Sequence, residues 1–289
     1  MVYTMIRGGL LMLPICEPRN DDRFYALADN YVIDSQYLGA VDQSVLENRI
    51  DFHEVTIVKI CSDTTSVCYS VSDRKFIQDE HKEVVERHLL IDGFYDESDT
   101  VVRLISPKGE SFDSSDTRIW GIDHSDVRSS YVAAMLVGPF LLSSLSLDQN
   151  DEGKNVLEIG LGGGSFSMAL HRLKHDVYFT LGLTFDVLVL DACDATMRSA
   201  CPARAFRNAS VISRMKNILK ITGSLVVNIL SNDREGSGSS TREVNVVLTC
   251  VPYSISNVRE QLSFYNTRLV RVVSQLKLDD ILGHDVVLV

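Results

Sequence analysis

The sequence is short of positive charge and has no closely paired cysteines. Lys and Arg number 28 against 39 Asp and Glu, a formal net charge of −11. Such a balance excludes a nucleic-acid binder held by a basic face. It suits a cationic partner only weakly, because acidic solvated surfaces are common. Six cysteines lie scattered at Cys16, Cys61, Cys68, Cys193, Cys201 and Cys250, and none forms a CxxC pair. Zinc therefore has no support from spacing, and free buried thiols in a reducing compartment are expected. His171 and His175 lie four apart, but no Glu stands between them in an HExxH pattern, so no metal site is expected. The start, "MVYTMIRGGLLMLPIC", holds an apolar run too short to span a bilayer and lacks a small-residue cleavage site. A cytoplasmic chain with no membrane partner is the expectation, and the acceptor triplet Asn208-Ala209-Ser210 then has no use. Internal repeats and long low-complexity tracts are also missing.

What is present divides into two halves. Hydrophobic residues make up 45% and charged residues 23% of the 289, enough for a sizeable core. Residues 1–120 read as a small β-rich region. "HEVTIVKI" (53–60), "SVCYSV" (66–71) and "VVRLI" (101–105) carry the β-branched residues of strands. "QDEHKEVVERH" (78–88) reads as a short exposed helix. Residues 121–289 read differently. "SSYVAAMLVGPFLL" (129–142) is apolar enough for a buried helix, with Gly138-Pro139 as a kink or break. "NVLEIG" (155–160), "FDVLVLDACD" (185–194) and "GSLVVNIL" (223–230) are strands without alternation, separated by helices at 165–173 and 208–220. Strands apolar on both faces, alternating with helices, predict a parallel sheet covered on both sides, an α/β domain. "SNDREGSGSSTRE" (231–243) is a loop by composition. "EVNVVLTCVPY" (243–253) then reads as a strand and 256–282 as a helix.

"VLEIGLGGGSFSMALHR" (156–172) is the stretch built for a ligand. Gly160, Gly162, Gly163 and Gly164 sit between a strand and a helix, where glycine permits positive φ and close approach to the backbone. Helix N-terminal amides beyond them favour a polar or anionic group. In open α/β sheets, ligands bind beyond the carboxyl ends of the strands. The spacing is neither a P-loop, since no Gly-Lys-Ser/Thr follows, nor GxGxxG.

In company with later segments, this stretch resembles S-adenosylmethionine-dependent methyltransferases. "VLEIGLGGG" resembles their first motif, "FDVLVLDACD" their fourth strand, and "ILKITGSLVVNIL" their next helix, turn and strand. Asp191 and Asp194 are spaced as the D-x-x-D of spermidine synthases. "SACPARAF" (199–206) and "IDHSDVRSSYVAAML" (122–136) resemble segments of the methyltransferase-like group close to them. That group includes enzymes that methylate elongation factor 1-alpha at lysine and at its N-terminus. The resemblance implies a Rossmann-like class I methyltransferase sheet preceded by a small mainly β region, with S-adenosylmethionine as cofactor. It implies that Gly160, Gly162, Gly163 and Gly164 contact the cofactor's methionine end, with Glu158 nearby. Asp191 would line the site of the reacting amine, with Asp194 second in rank. His124 would lie near the site mouth and Tyr131 near a substrate groove. The partner expected is a protein or polyamine substrate, and the assembly a homodimer.

One gap departs from the family. There, two strands and two helices separate the glycine helix from the "FDVLVLD" strand, and supply a ribose-binding acid and an adenine-side segment. Here only "HDVYFTLGLT" (175–184) fills the space. If "VYFTL" is a strand, three residues connect it to the next, where a parallel crossover needs about a dozen. An antiparallel hairpin or a plain connection is the expectation, with one or two strands missing and a cofactor site lacking half its grip. Three readings follow: a protein-amine methyltransferase with an impaired site, a polyamine aminopropyltransferase, or a non-catalytic family member that binds a partner. Ala195, where the polyamine enzymes carry a proline, favours the first over the second.

Overall fold

The computed structural model describes residues 2–6, 9–13, 53–64, 66–78, 82–92, 98–180, 182–194, 201–233, 242–253, 255, 258–283 and 287–288. The chain opens with an antiparallel hairpin, β1 (Val2–Ile6) and β2 (Gly9–Leu13). A five-stranded antiparallel meander follows: β3 (His53–Cys61), β4 (Cys68–Gln78), β5 (Lys82–Ile91), β6 (Ser98–Ile105) and β7 (Gly121–Val127). Then come α1 (Ser130–Leu141), β8 (Asn155–Ile159), α2 (Ser165–Leu173), β9 (Tyr178–Phe179) and β10 (Phe185–Leu190). The chain continues through α3 (Ala209–Ile218), β11 (Leu219–Asp233), β12 (Arg242–Cys250), α4 (Val258–Gln275), α5 (Asp279–Leu282) and β13 (Val287–Leu288).

The larger sheet has the order β13-β1-β2-β12-β11-β10-β8-β9. Its heart, β9-β8-β10-β11, is all parallel, and β12 closes against β11 antiparallel. The apolar run of β10 explains the layers. Val187 and Val189 join the cluster formed with Val132, Phe140, Leu170, Leu269 and Val272, on the face covered by α1, α2 and α4. Leu188 and Leu190 join Met215, Val211 and Ile212 of α3 on the other. Burial on both faces removes any need for alternation. The architecture is a Rossmann-like α/β domain, as the sequence implies. α1 is buried from Val132 to Leu141, as an all-apolar helix must be. Pro139 neither breaks nor ends it; it falls in the last turn and leaves the Met135 carbonyl without its helical donor. A Cβ on Gly138 would stand 2.5 Å from Thr249 Oγ1, so glycine there lets α1 lie directly on β12.

Several sequence expectations are corrected. Residues 82–91 are a strand, not a helix, because β5 is laddered on both sides and its charges find partners across strands. Asp73 stands opposite Arg87 and receives two bonds from it, at 2.7 and 2.8 Å, while Glu86 stands opposite Arg74. Cross-strand charge matching outweighs the helical preference of a Lys/Glu-rich run. Free thiols are not found among the described cysteines, Cys250 included. Cys61 is bonded to Cys68 across the β3–β4 hairpin, and Cys193 to Cys201 after β10. Strand β11 runs on to Asp233, into the stretch read as loop, and residues 234–241 lie outside the described residues. The helix expected over 256–282 is split into α4 and α5 by Lys277 at φ 58°. Sheet membership does not follow a division at residue 120, since β7 ladders with β6 and the β1–β2 hairpin adds to the larger sheet through β12.

The short segment after α2 resolves differently from either alternative. β9 pairs parallel with β8, Phe179 opposite Val156, and β10 pairs with the other side of β8, Val187 opposite Val156. β9 and β10 are therefore not neighbours. β9 is only two residues long, so the link over 180–184 must cross two strand spacings and back up two residues. That is about 12 Å, within reach of five residues at about 3.3 Å each. A full-length strand would not permit it. The result is an edge with Tyr178, Phe179 and Leu183 exposed. Among the described residues no helix is long and apolar enough to cross a membrane.

The layering carries a prediction. Leu188 is fully buried between β10 and α3, whereas Ile221 on β11 is 79% exposed. Leu188→Ala should lower the unfolding free energy by about 2–5 kcal/mol, and Ile221→Ala by no more than about 0.5 kcal/mol, as read by urea denaturation. Equal small effects would contradict a covered second face.

Candidate functional site

The site begins with the register of three parallel strands. Glu158 on β8, Asp191 one residue past β10, and Asn228 on β11 each lie two residues beyond Val156, Val189 and Val226, which share one core cluster. Side chains alternate along a strand, so all three polar groups fall on the face that carries α1 and α2. Glu158 and Asp191 stand at the carboxyl ends of β8 and β10, and Asn228 lies one residue past the last β11 position paired with β10, at the edge of the sheet where open α/β folds take ligands. Asn228 Nδ2 donates to Asp191 Oδ1 at 2.8 Å, and the Asp191 amide donates to Ile159 O at 2.8 Å.

The glycine loop leaves the end of β8 along this row. Gly160, Gly162 and Gly164 have φ of 90°, 52° and 81°, conformations that side chains rarely adopt. Gly160 also lies against the backbone of Asp191, where a Cβ would stand 2.2 Å from its carbonyl oxygen. The loop thus brings the ends of β8 and β10 together. Gly164 caps α2, and the Ser167 hydroxyl lies 3.1 Å from its carbonyl.

Two buried acceptors here lack partners within the described residues. Glu158 Oε2 and Asn228 Oδ1 are shielded from solvent and accept no hydrogen bond, and Asn228 is only 4% exposed. An unpaired buried oxygen costs about 1–3 kcal/mol, which a donor on a bound molecule recovers. Burial pushes the Glu158 carboxyl up to about 7; the Ser167 hydroxyl opposes the rise and the Asp191 charge adds to it. An acid shifted this way by desolvation and a like charge beside a glycine loop marks a functional-site candidate.

The remaining expected residues are placed apart from this row. Asp194 is exposed, and its Oδ2 accepts the Arg204 amide at 3.1 Å. The Gly163 amide donates to Thr100 Oγ1 at 2.9 Å. His124 lines an open cleft with Asp123, Asp126 and Ser165, between β7 and the start of α2. Tyr131 packs half-buried against the main core. Trp120 is buried with Val85, Leu104 and Phe112, its Nε1 donating to Ser115 Oγ at 3.0 Å. His171 and His175 are both exposed. Among the described residues no group of three His, Cys, Asp or Glu side chains is placed to hold a metal. Asn228 escaped the sequence reading, though a lone amide inside "SLVVNIL" was its signal.

No protein-family model matches the chain, and no curated protein matches it. Among solved structures, human methyltransferase-like protein 13 in complex with SAH aligns with a TM-score of 0.31 and 19% sequence identity. The alignment covers 50% of this chain and 90% of that one. An overlap so low carries no argument, and the Rossmann-like class of this fold stands on its own strand order and layering.

Protonation of Glu158 gives a prediction with a definite sign. The unfolded carboxyl ionises near 4.5 and the folded one near 7. The folded state therefore binds more protons between those values, and stability falls as pH rises through that window. Glu158→Gln should melt higher than the parent at pH 8, with the difference shrinking towards pH 4. A difference that does not depend on pH would contradict the burial of this acid.

Proposed function

We propose that the chain is an S-adenosylmethionine-dependent methyltransferase-like protein acting on an amine, with a cofactor site gripped at one end only. The observation that carries this reading is the row of Glu158, Asp191 and Asn228 beside the glycine loop, with two buried oxygens lacking donors. Oxygen acceptors in need of N–H donors suit the amino groups of both the proposed cofactor and its acceptor. Gly160, Gly162 and Gly164 leave no Cβ along the loop, and Glu158 would hold the amino acid end. When bound, S-adenosylmethionine supplies an electrophilic sulfonium methyl group.

The chain's own groups divide the remaining work. An amine attacks only when neutral, so its proton must go to a base. Asp191 is the candidate, and Asn228 fixes its orientation through the 2.8 Å bond to Oδ1. Glu158, poised near neutrality, changes charge within the working range and so makes the row pH-sensitive.

The other end of the proposed cofactor finds less. The ribose hydroxyls want an acid at the carboxyl end of the strand beside β8, and β9 stops at Phe179 with no acid after it. The link instead returns to the start of β8, where Asn155 Nδ2 donates to Thr184 O at 3.5 Å. This favours, as a second reading, a non-catalytic member of the methyltransferase group. The polyamine aminopropyltransferase gains nothing from the described residues.

Incubation with labelled S-adenosylmethionine and elongation factor 1-alpha, and separately with decarboxylated S-adenosylmethionine and putrescine, tests the assignment. Methyl incorporation into protein amine is expected, falling about 100-fold or more in Asp191→Asn. Aminopropyl transfer, or methylation untouched by Asp191→Asn, would overturn it, and no transfer beside an active relative would leave the non-catalytic reading.

A further inference from the structure

We infer that Thr100, on β6 of the smaller sheet, is a positioning residue that sets the glycine loop of the larger one. The inference rests on reading that loop as a cofactor cradle. Three of its glycines have backbone conformations that demand glycine, whereas Gly163 is not among the positive-φ residues. What Gly163 has instead is a neighbour. A Cβ there would stand 2.6 Å from Thr100 Cγ2 and 2.8 Å from Thr100 Cβ. Gly163 therefore lacks a side chain because Thr100 occupies the space.

The contact is polar as well as close. The Gly163 amide donates to Thr100 Oγ1 at 2.9 Å, and Thr100 is 8% exposed. The loop is held from two sides, with Gly160 against the backbone of Asp191 and Gly163 against Thr100. Helix α2, which begins at Ser165, packs on β7 and β6 of the same small sheet. The third glycine of "GLGGG" thus serves the docking of the two sheets, and the β-rich region becomes part of the site. With its amide committed to Thr100, Gly163 does not bind the ligand directly. It transmits the position of β6 to the residues that do.

Two variants and two readouts test this. Thr100→Val is isosteric but offers Gly163 a methyl group in place of an acceptor, and Thr100→Ser keeps the hydroxyl. Amide-resolved hydrogen exchange should show Gly163 exchanging about tenfold faster in Thr100→Val and at the parent rate in Thr100→Ser. The Asp191 amide, bonded to Ile159 O, should keep its rate in both, reporting an intact sheet. The dissociation constant for S-adenosylhomocysteine should rise about tenfold in Thr100→Val and stay within about twofold in Thr100→Ser. Unchanged Gly163 exchange in Thr100→Val overturns the inference, as does faster exchange with unchanged affinity. A parent protein that does not bind S-adenosylhomocysteine defeats the cofactor reading instead, and the exchange result still decides whether Thr100 sets the loop.

Discussion

The candidate site depends on the approach of two backbones, Gly160 after β8 and Asp191 after β10. Any side chain at residue 160 would sit inside the Asp191 carbonyl. Because the two strands meet there, the loop must turn at once, and it does so through glycines at positive φ. Because the loop turns, α2 starts directly above the strand ends. The same approach sets Glu158 near enough to Asp191 for the one charge to raise the other's affinity for a proton. The site follows from strand packing.

Much of this was legible in the sequence because it is written locally. Glycines between an apolar strand and a helix, and a six-residue run with no alternation, specify β8, α2 and β10 with little outside help. What stayed hidden depends on residues far apart in the chain. The charges of "KEVVER" look helical until Asp73 and Arg74 arrive on the neighbouring strand. Cys61 and Cys68 pair because a hairpin puts them opposite each other, which no spacing rule shows. Asn228 gains meaning only when β11 lies beside β10, and Thr100 only when two sheets dock.

The shortened segment after α2 joins fold to function most directly. A two-residue β9 lets the chain skip a helical crossover and still keep the sheet parallel. The cost falls on the edge, where Tyr178, Phe179 and Leu183 stay exposed, and on the far end of the ligand site. Under the proposed function, Glu158 and Asp191 would serve an amino acid end and a reacting amine, and no acid follows β9 where a ribose would rest.

An amide-resolved NMR titration with S-adenosylhomocysteine tests that division most directly. The account predicts shifts confined to Gly160–Ser165, the backbone of Asp191 and the side-chain amide of Asn228, with Tyr178–Thr180 and Gly182–Thr184 unmoved. Shifts spread along the β9 link, or none beside the glycine loop, would contradict it.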